Sequence, residues 1–215
     1  MSKGRNARPY RRSLIAGLLL LGAPLVLAQF EPTAAWIGPA DREARASMGP
    51  TQRALGPLAS VAASIEWVRF RGALLRGDMA AAYAIADAAL ALDPSGEGGW
   101  LEYAQHLIFV RGSFAENETP AGRRGWITSG LELLRRGEAL CRTPGELAFA
   151  AGLIRTGYLA TIPDEDLGWP GGPEALLRQG TADLQRAAAL GHRGAVGTLD
   201  ALRAAELGFQ RDADR

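Results

Sequence analysis

Val61, Ile65, Val68, Gly72 and Leu75 recur at spacings of 4, 3, 4 and 3 between Leu58 and Arg76. At 100° per residue this gathers them into a stripe about 80° wide on one side of an α-helix, an arrangement that the alternation of a strand cannot give. The opposite side of the same helix holds Ala59, Ala63, Trp67, Phe70 and Leu74. A helix that is apolar on two sides is expected to be sandwiched between two neighbours, with Arg69, Arg71 and Arg76 at its edges. The pattern therefore predicts an all-α fold built in layers of helices.

The segments that follow keep the helical period and are divided by breakers. Gly77-Asp78 turns the chain, Met79 to Leu92 reads as a second helix with Ala82, Ile85, Ala89 and Leu92 as its stripe, and Asp93-Pro94 ends it. Trp100 comes six residues past the proline, with Ala104 four residues later. Alanine lets two helices approach closely, and tryptophan fills the groove beside it. Over residues 66–104, the positions of Gly77, Asp78, Ala82, Ala89, Pro94, Trp100 and Ala104 resemble the small, breaking and large residues of a tetratricopeptide repeat. Phe70 stands where that family usually has a glycine, so the first hairpin is expected to pack more openly. An eleven-residue insert, Gly112 to Gly122, interrupts the repeat period.

Further on, Thr119-Pro120 opens a helix to about Arg136, with Gly137 behind it. Thr143-Pro144-Gly145-Glu146 reads as a capping box for a helix to about Ala160. Another helix is expected from Pro173 to Gly191, and a last one from Arg193 to Leu207, stopped by Gly208. The run from Arg186 to His192, with Ala195 and Leu199 after it, resembles a Sel1-type repeat, a relative of the tetratricopeptide hairpin. Seven helices are expected. The resemblance implies antiparallel helical hairpins stacked as an α-solenoid over residues 58–208, followed by a polar tail, 209–215.

Ahead of this region the chain has a different character. Five of its 24 basic residues and none of its 23 acidic ones fall in the first 30 positions, so the remainder is net acidic. A nucleic-acid binder needs the opposite sign on its folded part, because phosphate contacts supply much of the affinity. Lys3, Arg5, Arg8, Arg11 and Arg12 precede fifteen uncharged residues, Leu14 to Ala28. That length suits the core of a signal peptide and, extended to residues 13–30, a single membrane anchor. Small residues at Val26 and Ala28 allow cleavage ahead of Gln29. Arg11-Arg12 also resembles a twin-arginine export signal, while the lack of a cysteine after the run excludes a lipoprotein anchor. In either reading the basic end stays inside and the rest crosses the membrane. The excess of 23 arginines over one lysine is the composition of a GC-rich bacterium, which makes the far side a periplasm. A Pro/Gly-punctuated juxtamembrane linker, 31–57, follows, and the whole resembles small membrane-anchored bacterial repeat proteins without assigned chemistry.

Little in the sequence points to catalysis. A lone Cys141 forbids an internal disulfide or a cysteine-based zinc site, and His106 and His192 stand without a second ligand at metal spacing. Asp164-Glu165-Asp166 lacks the alternating ligands of a calcium loop and reads as a solvated turn. Glu66 and Glu102 each stand beside an aromatic residue, as the acid of a muramidase built on a helical superhelix would. Neither is followed by the serine that such enzymes pair with it. No cofactor or metal is expected. The leading expectation is an interaction scaffold whose groove holds a protein or peptide through Trp67, Arg69, Arg71, Trp100, Tyr103, Arg111, Arg123 and Arg124, aromatic anchors beside guanidinium forks. An envelope enzyme or enzyme subunit acting on peptidoglycan is the alternative.

Overall fold

The computed structural model describes residues 54–56 and 58–213, with side chains as far as Ala205. The basic and apolar segment 1–30 lies outside the described residues, as does all of the 31–57 linker except 54–56. From Leu58 on, the elements are helices, and no strand occurs among the described residues. None of these helices is long and apolar enough to cross a membrane.

Helix α1 (Leu58–Leu75) and α2 (Met79–Leu92) form an antiparallel hairpin. Gly77 takes φ +73 between them, a conformation that costs a side chain energy, and the Asp78 carboxylate caps α2 by accepting from the Ala81 amide at 3.1 Å. α3 (Glu97–Gln105) runs into a π-helical turn (His106–Arg111) and packs against α4 (Pro120–Glu138). α5 (Pro144–Leu153) likewise ends in a π turn (Ile154–Tyr158) and a 3-10 turn (Leu159–Thr161). The single-turn helix α6 (Asp164–Leu167) leads to α7 (Gly172–Ala189), which packs along α5, and α8 (Arg193–Ala213) packs against α7. Next-but-one neighbours touch as well: α3 meets α5, and α1 reaches α3 through Trp67 and Arg71.

One apolar core runs from Phe70 and Ala73 on α1 through Trp100, Ala104 and Ile108 to Leu134, Leu147 and Leu176. Where α5 crosses α7, Gly152 and Gly180 face each other's backbones. A methyl group on Gly180 would come within 2.5 Å of Thr156 and 3.1 Å of the Gly152 carbonyl oxygen, so this crossing depends on both positions lacking a side chain. A small second cluster of Ala148, Ala187 and Ala195, backed by Phe149, seats α8.

Several expectations are corrected. On α1, the 4-3-4-3 stripe is not sandwiched: Val61 is 55% exposed, Ile65 57%, Val68 66% and Leu75 90%. α2 instead takes the opposite side, because Ala59, Ala63 and Ala73 are small enough to lie close against Ala82, Ala86 and Ala89, while Phe70 fills the remaining depth. There are eight helices from Leu58 on rather than seven. The acidic run 164–166 forms α6 instead of a turn, held by the Arg123 and Arg124 guanidiniums, which donate to the carbonyls of Asp166, Leu167 and Gly168. Thr143 makes no cap on α5; its hydroxyl donates to Glu97 at 2.8 Å, joining that helix start to α3. The α5 segment does not continue as an α-helix to Ala160, and α8 passes Gly208 to reach Ala213.

Candidate docking surfaces

The residues expected to line a groove separate into three places. At the junction of α1 and α3, the Trp67 indole covers Gly99, where a methyl group would come within 2.6 Å of the ring, and meets Phe70 edge to face at 5.4 Å. Beside it, Arg71 donates through Nε and Nη2 to the two Glu102 oxygens at 2.6 and 2.7 Å, a two-point fork tying α1 to α3 at the surface. Trp100 and Tyr103 belong to the same region but point inward. Trp100 is 2% exposed and donates its Nε1 hydrogen to the Pro94 carbonyl at 2.9 Å. Burial, with smaller contributions from the Asp87 charge and from Tyr83, pushes the Tyr103 phenol up to about 12.

The second place is the insert. Arg111 lies over the Trp126 ring at 4.9 Å and pairs with Glu116 at 2.6 Å. Arg123 is buried beneath Phe114, with its guanidinium carbon 4.2 Å from the ring centroid. It donates to the carbonyls of Asn117, Glu118 and Asp166. Arg124 donates to Gly168 at 2.6 Å. Arg123 and Arg124 hold loops to helices with their donors directed at backbone oxygens, while Arg111 donates to the Glu116 carboxylate.

Arg69 occupies the third place, the edge of the uncovered α1 stripe, where it holds both Glu66 oxygens at 2.7 and 2.9 Å. The stripe itself is the largest solvent-facing apolar feature of α1: Leu58, Val61, Ile65, Val68 and Leu75 run its full length. Arg69 and Arg76 flank it on one side, Arg71 on the other.

Sequence reasoning missed a fourth group. Asp183 on α7 is buried and accepts from Arg155, in the π turn after α5, and from Arg186 at 2.7 Å; Arg186 also reaches Glu138 on α4 at 2.8 and 3.1 Å. Burial first, and the Arg186 charge second, lower the Arg155 pKa from its usual value. These side chains border an open concavity of about 230 Å³ together with Trp169. Only the Asp183/Arg186 pair is local, three residues apart on one helix; the other partners lie 28 and 48 positions away, beyond any spacing rule.

The isolated polar groups are also placed. His106 sits in the aromatic core, 5.9 Å from Phe70 and 6.0 Å from Tyr83, with Nε2 buried and unpartnered. His192 stacks on Phe149 at 3.9 Å, its Nε2 3.3 Å from a Glu146 oxygen. Cys141 is a free thiol whose pKa is raised, chiefly by burial. Among the described residues no three His, Cys, Asp or Glu side chains gather as a metal site. Glu66 and Glu102 are both engaged by arginine at the surface. Set against family models, curated proteins and solved structures, the chain matches none of them.

Proposed function

We propose that this chain is a tetratricopeptide-like helical scaffold of the bacterial envelope, carried to or across the inner membrane by residues 13–30, and that it binds a protein or peptide on its periplasmic side. The observation that carries this reading is the uncovered stripe on α1. Five large aliphatic side chains, each about half to nine-tenths exposed, line one face of a helix whose other face packs into the core through Ala59, Ala63, Phe70 and Ala73. A terminal unit of a helical stack normally turns a polar face to water, and a contiguous apolar patch of a few hundred Å² is a common mark of an interaction site. The contacts between next-but-one helices, α1 with α3 and α3 with α5, are those that stacked hairpins make, and they support the solenoid form of the proposal.

The reading is tested in cells with a photocrosslinking amino acid placed at Val68, on the stripe, and at Leu190, which is exposed but remote in sequence from it. A discrete protein adduct at position 68 that is missing at 190 is expected. Adducts at neither position, or the same pattern at both, would overturn the scaffold reading. Protease digestion of intact spheroplasts checks the location separately: the helical domain should be cleaved from outside while a cytoplasmic control survives.

A further inference from the structure

We infer that the α1 stripe docks an amphipathic helix whose apolar seam is flanked by acidic residues. The inference rests on the scaffold reading and names the class of its partner. Leu58, Val61, Ile65, Val68, Gly72 and Leu75 alternate at spacings of 3 and 4 along the whole of α1, which is the seven-residue repeat with apolar a and d positions. Such a repeat makes a narrow seam matched to the ridge of another helix crossing at a shallow angle. A helix that lies on a bilayer presents a broad apolar face, whereas this stripe is about 80° wide and edged by arginines. Gly72 leaves the seam without a side chain between Val68 and Leu75, and the Arg76 guanidinium lies 3.4 Å from where a methyl group there would stand. The seam extends over five turns, so an occupant of about 18–21 residues covers it.

Charge selects among helices. The positions flanking the seam are Ala62, Ser64, Arg69, Arg71 and Arg76, with no carboxylate among them. Arg76 pairs with no carboxylate among the described residues. Arg69 and Arg71 each hold one, yet both side chains remain 62% exposed and a guanidinium carries five donors. A second copy of this chain is therefore disfavoured. Parallel pairing sets Arg71 against the second copy's Arg76, and antiparallel pairing sets Arg69 against Ala62 and Arg71 against Ser64, so neither offers the arginines a carboxylate. Glutamates at the flanking positions of a partner helix convert the same arginines from repulsion to attraction.

The test uses the full chain in nanodiscs of zwitterionic lipid and two labelled 21-residue peptides with leucine at a and d, one with glutamate and one with lysine at the flanks. Fluorescence anisotropy is expected to give at least tenfold tighter binding of the glutamate peptide, and Arg71→Glu/Arg76→Glu should reverse that order. Ile65→Ser/Val68→Ser, which alters only exposed side chains, should abolish binding without changing the circular dichroism. Equal affinity for both peptides would overturn the charge rule while leaving the scaffold reading intact. Binding of neither peptide, with the stripe protected from hydrogen exchange by lipid or by a second copy, would remove the partner and the scaffold reading together.

Discussion

Trp67 and Trp100 are both large aromatic residues on helices, yet only one is sealed in. Trp100 has a backbone acceptor six residues behind it, the Pro94 carbonyl, and so can be buried with its N–H satisfied. Trp67 has no such acceptor and is only half-buried, lying over Gly99. The sequence makes both tryptophans legible as packing residues, because each stands near small partners, but which one is closed off depends on where an acceptor lies after folding. His106 presents the same problem more sharply. Its apolar neighbours were readable, whereas its unpartnered Nε2 was not. Burial first, then the Arg111 charge, lowers its pKa, with Glu116 acting weakly the other way. The unfolded chain therefore takes up a proton before the folded one does, and stability is full above about pH 6.5 and falls as pH drops below it. His106→Phe keeps the ring contacts and removes that proton. Urea unfolding at pH 8 and pH 5 should show the variant gaining on the parent at the lower pH, with a slope of at most about 1.4 kcal/mol per pH unit. An identical difference at both pH values would sink the explanation.

Helices were the most legible level, since their period and breakers are local. Thr119 caps α4 as its position suggested, accepting from the Gly122 amide at 3.2 Å. Thr143 has the same local pattern but gives its hydroxyl to Glu97, a residue 46 positions away, and no local rule contains that competitor. The face of α1 was misjudged for a related reason: the wider aliphatic stripe looked like core, but the alanine face packs closer against α2. Close approach also sets a contest that substitution can resolve. At Gly152, alanine would gain about 0.5–1 kcal/mol of helix propensity. Its methyl group would stand 2.7 Å from Leu184 and 3.1 Å from the Gly180 carbonyl, and such overpacking costs about 1–3 kcal/mol. Gly152→Ala should thus destabilise by about 1–2 kcal/mol. Gly125→Ala, on an exposed turn of α4 with nothing within 4 Å, should stabilise by about 0.5–1 kcal/mol. Thermal melts of the two variants will move in opposite directions if helix approach is the deciding effect. The insert offers a further check. Arg123→Ala orphans three carbonyls and should cost about 3 kcal/mol, with faster hydrogen exchange confined at first to residues 112–119 and 164–167.

At the scale of the molecule, the link between α4, α5 and α7 is where sequence reading fails most completely. Glu138, Arg155 and the Asp183/Arg186 pair come from three separate elements, and nothing in their local patterns distinguishes them from ordinary surface charges. Folding buries most of Asp183 between two guanidiniums. Two charges taken from water recover their desolvation cost only by holding each other, so removing one is far worse than removing both. Asp183→Asn leaves Arg155 largely shielded from water with its main partner neutralised, and should lower the unfolding free energy by about 3 kcal/mol. Arg186 is 41% exposed, so it retains its Glu138 pair and contributes the smaller part of that loss. Arg155→Met/Asp183→Leu fills the same space without charge, and should lie within about 1 kcal/mol of the parent. Arg155→Met alone leaves the Asp183 carboxylate to Arg186 and should fall between the two. Completed with Asp183→Leu alone, the double-mutant cycle, measured by urea unfolding at pH 7 with an unchanged denaturant slope, should yield a coupling of about 2 kcal/mol or more. Additive effects would mean that the cluster is a solvated surface pair, and that apolar packing alone holds α5 and α7 against α4.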